Sequence, residues 1–494
     1  MSAMLSTRST HLRRLVAAIT MIISVGLVAS SCSFATSEAA AEVSAPAATS
    51  TTGEGVLDAS VVHEIAVTFD EDAYDAMIAT YSATGDKEWI EATATIDGVT
   101  LEHLGLRLKG NSSLRGLGTD SGAQGATVSA DDPAGLPWLI RFDKYVDGQN
   151  YDGLYDLVVR SNNTETSLNE AVALDLLELV GLASQDAIAV SFSVNGSEPA
   201  LRLVIEHPDD VWLEGNFEDD GALYKAESTG DYSYRGDDPE SYDEVFDQEA
   251  GKDNEDLTPL IEFLDFINNS DDATFNAELA DHLDVESFAT YLAMQDLIDN
   301  FDDINGPGNN SYLYYDSDTE AFTVVAWDHN LAFGVQNNDG FGAGGGPGGE
   351  PVGADAAGVD TAGMAPGGAA PGGTAPGGTA PGGAAPGGAA PGGAAPGGAA
   401  PGGAAPGGVA PDQDAVGGAD GGRVQPNVLV DRYLANPEFA ALYDQALVDL
   451  DAALYESGNA SEVLATWVAV LSTSDLVDAD TIAVEAAAIS RYFA

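Results

Sequence analysis

Residues 300–334 read NFDDINGPGNNSYLYYDSDTEAFTVVAWDHNLAFG, two short apolar runs set among acidic and amide residues. The runs from Tyr312 to Tyr315 and from Phe322 to Trp327 have strand composition, and as a hairpin they bring their flanking residues to one edge. Asp302 lies in the preceding loop, Asn310 opens the first run and Asp328 follows the second. A Mg²⁺ ion carrying nucleotide phosphates takes one or two carboxylates from a protein and little else. In phosphoryl transfer an Asp handles the acceptor hydroxyl, while an Asn and a second Asp hold metal. In a chain with 80 Asp plus Glu, however, the same residues also serve as ordinary turn formers, so spacing alone leaves both readings open.

The 494 residues suffice for one large or two ordinary domains, and 44% apolar content with 17 Tyr, 16 Phe and 5 Trp supports a sizeable core. Against 80 acids stand 17 Lys plus Arg, a formal net charge of −63. Such a surface repels polyanions, so no nucleic-acid partner is expected. At the start of the chain, Arg8, Arg13 and Arg14 precede an apolar run from Leu15 to Ala29, too short for a membrane span and suited to a signal peptide. Cys32, the single cysteine, follows in Ala29-Ser30-Ser31-Cys32, which resembles a lipoprotein processing site; plain secretion is the alternative. Residues 1–32 are thus read as a leader and 33–55, rich in Ala, Ser, Thr and Glu, as a flexible tether. The chain is expected to be exported, either secreted or held on the outer face of the cell membrane by a lipid on Cys32. With no second cysteine, no intrachain disulfide contributes to stability.

Beyond the tether the pattern is α+β. Val61 to Val67 reads as a strand, and Asp70 caps a helix carrying Tyr74, Met77, Ile78 and Tyr81. Ala92 to Ile96 and Leu101 to Leu108 form a hairpin on Asp97-Gly98, and Trp138 to Phe142 and Leu154 to Val159 are further strands. A helix from Thr166 to Leu182 is capped by Asn163 or Thr164 and stopped by Gly181. Ala187 to Val194 and Leu201 to Ile205 pair across Asn195-Gly196. From Asp256 to Asn300 the chain turns helical, with Leu260, Phe263, Leu264 and Ile267 on one stripe and Phe288, Leu292, Leu297 and Ile298 on another. The stretch 335–422 is of low complexity, with Ala-Pro-Gly-Gly units repeating from Ala365 to Gly408; their period of five excludes collagen, and the composition predicts disorder. Helical patterning resumes over 423–494, so the repeat is read as an insert within one domain.

Arg107-Leu108-Lys109-Gly110-Asn111-Ser112-Ser113 sets two cations at a strand end beside a small-residue turn, a cradle suited to phosphate, although an exposed hairpin turn accounts for it equally. With Leu106 this run is also the first of four segments that resemble the CotH kinase family. The others are Phe142-Asp143-Lys144-Tyr145 with Ser167-Leu168-Asn169-Glu170; Val194-Asn195-Gly196 leading to Leu203-Val204-Ile205-Glu206; and Asn300-Phe301-Asp302 through Asn310-Ser311-Tyr312-Leu313-Tyr314 to Ala326-Trp327-Asp328-His329-Asn330. The resemblance covers about Val61 to Gly334 and the helical tail.

It implies an atypical protein-kinase-like fold of two lobes, with an antiparallel-sheet N-lobe at about 56–206 and a mainly helical C-lobe from about 207. The implied activity is transfer of the γ-phosphate of ATP to Ser hydroxyls of a protein substrate, with Mg²⁺ or Mn²⁺. By the resemblance Asp302 orients the acceptor, Asn310 and Asp328 ligate metal, and Lys109 contacts phosphate with Glu170 as its ion-pair partner; Arg107, Arg141 and Lys144 are rivals for the Lys109 role. Leu203 to Glu206 would line the nucleotide hinge, with Lys225 also reaching the site. His329 is assigned a structural hydrogen bond, since neither cysteine nor a second nearby histidine supports zinc. Two other readings stand beside the kinase: a non-catalytic surface protein, and a domain whose carboxylates hold Ca²⁺.

Overall fold

Every second side chain of the stretch IEATATI, residues 90–96, is buried, and this alternation recurs along the first half of the chain. A computed structural model describes residues 50–51, 55–114, 116–117, 128–217, 220–227, 231–251, 256–307, 309–335 and 427–493. Its elements begin with β1 (Ser50–Thr51), β2 (Val62–Phe69), α1 (Glu71–Thr84), β3 (Ile90–Ile96), β4 (Val99–Leu108), β5 (Trp138–Arg141), β6 (Asn150–Tyr151), β7 (Asp156–Val159), α2 (Leu168–Leu179), β8 (Ala187–Val194) and β9 (Ala200–Glu206). Asp70 caps α1 by accepting from the Ala73 N–H, as its sequence predicts. Asp97 and Gly98 both take positive φ, the conformation that joins β3 to β4 in a tight hairpin. The α2 helix starts later than expected: its N-cap is Ser167, and Thr164 caps the turn before it by accepting from the Ser167 N–H. Gly181, at φ 84°, ends the helix as predicted.

Seven of these strands close into a barrel in the order β2-β3-β4-β5-β7-β9-β8. All neighbours are antiparallel except β2 and β8, whose parallel pairing shuts the ring. The seam is reinforced where Asn195 accepts from the Phe69 N–H and donates its own N–H to Val67 O. Ile65, Leu106, Trp138, Ile140, Leu157, Val190 and Val204 belong to one apolar cluster; residues of opposite parity, Leu139, Val158, Ala189, Leu203 and Ile205, join a second cluster with α2. The expected antiparallel N-lobe sheet thus closes into a barrel, and from Ala47 onward the chain forms one compact unit. The reason is non-local: no local signal couples Val62–Phe69 to Ala187–Val194.

The chain continues through α3 (Asp210–Asn216), β10 (Gly221–Ala226), β11 (Phe246–Ala250), α4 (Thr258–Asn269), α5 (Asp272–His282), α6 (Val285–Leu297), β12 (Ser311–Asp316) and β13 (Ala321–Ala326). The last strands form an antiparallel sheet in the order β11-β10-β12-β13. The predicted stripe Leu260, Phe263, Leu264 and Ile267 is buried in the second cluster with Phe288, Leu292 and Ile298. Past residue 426 come α7 (Val428–Ala435), α8 (Pro437–Leu450), α9 (Asn459–Leu471) and α10 (Ala479–Ser490). These pack on the earlier helices: the Trp467 indole donates to Asp175, Tyr433 to Val285 O, and the Thr166 N–H to Glu485. The mixed α+β class is thus correct. The leader and Cys32, most of the tether and nearly all of the expected insert lie outside the described residues, although Ser50 and Thr51 of the tether pair with β6. Among the described residues no helix is long and apolar enough to cross a membrane.

Candidate functional site

Where β4 and β7 of the barrel end against β10, β11 and the β12–β13 hairpin, a cavity of about 580 Å³ opens. It holds Lys87, Arg107, Lys109, Arg160 and Lys225, five of only 17 basic residues in the chain. Such concentration in a chain this acidic is not expected of scattered surface charge, and it defines an anion-receptive wall. Lys225 pairs with Glu227, and Arg160 with Glu170 and Asp328. Lys87, Arg107 and Lys109 have no carboxylate in ion-pair contact among the described residues: Lys87 donates to Asn111 at 2.8 Å, Arg107 lies 4.8 Å from the Trp89 ring centre, and Lys109 meets His207. The Arg107 Nε atom is buried with no acceptor among the described residues.

The opposite wall is the expected hairpin. Ser311 pairs with Ala326, so Asn310 and Asp328 flank the same end of the β12–β13 ladder. The Asn310 amide donates to Asp302 O at 2.8 Å, which ties the Asp302 loop to that end and leaves the amide oxygen as the atom able to ligate a cation. Gly306 makes this loop possible: a Cβ there would sit 2.6 Å from Asp302 Cα and from Phe301 O. Asp328 adopts φ 61°, a left-handed conformation that Asp tolerates better than most residues and that the surrounding contacts enforce. Those contacts come from α2 and β7. Asn169 donates to Asn330 O at 2.7 Å, and Arg160 bridges Glu170 and Asp328. Trp327 packs edge-on against Tyr312, with Lys109 and Arg160 each 5.9 Å from its ring centre.

Burial and mutual repulsion govern the charges. Burial, then the neighbouring Lys225, brings Lys109 down to about 7. The same two causes bring Lys87 down to about 8, against the pull of Glu227. Burial also lowers Arg107. Burial opposes the charge on Arg160 as well, but Asp328 and Glu170 outweigh it and raise its pKa. Burial holds Glu170 above the carboxylate range even beside that guanidinium. A wall of cations destabilised by their own crowding gains more from a bound anion than an isolated lysine does.

Of the residues singled out by sequence, Asp302, Asn310, Asp328, Arg107, Lys109 and Lys225 line this one cavity. Glu170 lies behind it, and its ion-pair partner is Arg160 in place of Lys109. Glu206 does not line the cavity. It accepts from the Asp186 N–H at 2.9 Å, and its neighbour His207 makes the contact with the cations, a difference of one residue at a strand end. The rivals Arg141 and Lys144 are also elsewhere, paired with Asp143 and set over Trp89. His329 is fully buried with its Nε2 3.3 Å from the Gln295 amide, a structural role. Among the described residues no three His, Cys, Asp or Glu side chains gather as a metal site, so a cation here would need ligands beyond the protein's carboxylates. Arg160 and His207 escaped sequence reading; the available signal was a charged residue ending an apolar strand, in LVVR and LVIEH.

An α+β chain with a cation-lined cleft faced by two aspartates and an asparagine is suited to holding phosphate. The chain belongs to the CotH kinase protein family, whose match runs over residues 107–371. It is also similar to the inner spore coat protein H of Bacillus subtilis (strain 168), 24% identical over 192 residues, which are 38% of this chain and 52% of that protein. The chain thus spans about half the length of that relative.

Proposed function

We propose that the protein is an exported, metal-dependent kinase that moves the γ-phosphate of ATP to a Ser hydroxyl of a protein acceptor. The observation that carries this reading is one cavity lined by Asp302, Asn310 and Asp328 together with five basic side chains. The residues fit the group they would hold. Asp328 and the Asn310 oxygen are hard donors for Mg²⁺ or Mn²⁺, and three cations with no carboxylate in ion-pair contact among the described residues suit a polyphosphate. When bound, metal and ATP supply the phosphoryl group and neutralise its charge. Asp302 accepts the hydrogen bond of the acceptor hydroxyl and orients it, while Lys109 and Lys225 hold phosphate oxygens. Arg160 and Asn169 keep the Asp328 loop in place. The leader and Cys32 support export, with a lipid anchor on the outer membrane face, and the acidic surface argues against nucleic acid.

The test is label transfer from ATP with Mn²⁺ or Mg²⁺, to the protein itself or to a Ser-bearing acceptor, comparing wild type with Asp302→Ala and Asp328→Ala. Each variant is expected to lose at least about a hundredfold in rate. Equal label in all three ends the kinase reading. A second reading, a surface protein that keeps the cavity only for binding, is favoured by the Arg160 contact already made by Asp328; it predicts ATP binding without label transfer.

A further inference from the structure

Lys109 is half-buried at the cavity wall, and its one hydrogen-bond partner among the described residues is His207, with Nζ 2.9 Å from Nε2. An ammonium has three donors and no acceptor, so Nε2 must accept and the imidazole proton sits on Nδ1. That proton faces Asp156, whose Oδ2 is 3.5 Å from Nδ1; both side chains are 6% exposed. Neither His207 Nδ1 nor Asp156 Oδ1 has a hydrogen-bond partner among the described residues, which leaves the Asp156 carboxylate as the acceptor nearest to that proton. Phosphate-binding lysines are commonly held by a carboxylate, yet here the glutamate of α2 is taken by Arg160.

We propose that His207, oriented by Asp156, is the positioning residue that holds the Lys109 ammonium at the cavity wall without neutralising it. This rests on the phosphate-binding reading above. A carboxylate in the same place would fix Lys109 but cancel the charge that a phosphate seeks, whereas a neutral imidazole fixes it and leaves the charge available. Burial, followed by the adjacent Lys109, holds His207 well below its usual range, so it stays neutral. The charged groups facing the pair are Lys87 ahead of β3, Arg107 on β4, Asp156 on β7, Lys225 on β10 and Glu249 on β11. Together with burial they leave Lys109 titrating at about 7. The ammonium's contribution to phosphate affinity is therefore full below that pH and falls as it loses its proton above it, so the comparison between variants at equal pH cancels the ionisation of the phosphate itself.

The experiment is calorimetric titration of the full chain with pyrophosphate, without metal, from about pH 6 to about pH 8.5. Wild-type affinity is expected to fall by up to about tenfold per pH unit above pH 7. In His207→Leu the half-buried ammonium loses its acceptor, so the profile moves to lower pH and affinity at pH 7.5 drops by roughly tenfold. His207→Gln, which still offers an acceptor, should remain within about threefold of wild type. His207→Asn is too short to reach Lys109, and it shows the same downward shift should His207→Leu not fold. A space-filling role moves stability without moving the profile. Superimposed profiles for wild type, His207→Leu and His207→Asn, with Lys109→Met losing pyrophosphate binding, overturn the role of His207 and leave the phosphate site standing. Equal binding by wild type and Lys109→Met overturns both.

Discussion

Arg160→Met removes the guanidinium that lies between Glu170 and Asp328. Arg160 is 11% exposed and Glu170 3%, with hydrogen bonds of 3.0 Å from Nε and 2.9 Å from Nη2, whereas Asp328 is 25% exposed. Removing one partner of a buried pair costs about 3–5 kcal/mol, because the other charge is left uncompensated. Glu170 carries that penalty in full, while Asp328 turns toward water, so a loss of about 3 kcal/mol is expected. The double variant Arg160→Met with Glu170→Leu removes both buried charges and should return to within about 1 kcal/mol of wild type. Urea unfolding followed by tryptophan fluorescence measures both. The pH dependence gives a second check. Burial already raises Glu170 with the arginine present, so in the single variant its folded pKa lies above the unfolded value and the folded state binds the extra proton. Stability must then recover as the pH falls from neutral toward the unfolded value. A single-variant loss below about 1 kcal/mol, or a double variant no more stable than the single, refutes the account of a buried charge held by Arg160.

Two further expectations follow from the same contacts. Gly306→Ala forces the Asp302 backbone away from a Cβ that has no room, so it should destabilise by about 1–3 kcal/mol in urea melts and, under the proposed kinase function, reduce label transfer more than nucleotide binding; a fully stable variant contradicts the loop geometry. Burial, then the Asp186 carboxylate, pushes Glu206 up to about 8, so the folded state holds its proton and the wild type loses stability between the unfolded value and that pH. Glu206→Gln removes this loss: its stability relative to wild type should rise by about 2 kcal/mol between pH 5 and pH 8, discounted for partial exposure, and a flat difference by urea melts refutes it.

Local signals carried much of this structure. Asp97-Gly98, Asp70 and Gly181 each determine a turn or cap through their own backbone preferences, and all three sit where those preferences point. The Asn310 and Asp328 wall was legible for a related reason, since one hairpin with a period of two is enough to bring its two ends together. What was not legible depends on distant partners. Ser167 occupies the N-cap position of α2 with no side-chain cap of its own, although Asn163 and Thr164 have suitable side chains, because Glu485 of α10 holds the Thr166 N–H and hydroxyl and sets where the helix starts. Glu206 and His207 differ by one step along a strand whose exit direction depends on the barrel. Arg160 looked like an ordinary strand end until α2 supplied Glu170 behind it.

The parallel seam between β2 and β8 also bears on how the protein acquires its structure. The ring cannot be completed by hairpins forming one after another, because its first strand must wait for a partner more than a hundred residues downstream, and entropy opposes that late encounter. Barrel formation should therefore be slow and all-or-none, and a chain ending before Ala187 would have its opening strand left unpaired on one side. The cation cluster at the end of β4 would then assemble only in the last step of folding, and no partly synthesised chain would carry a complete cleft.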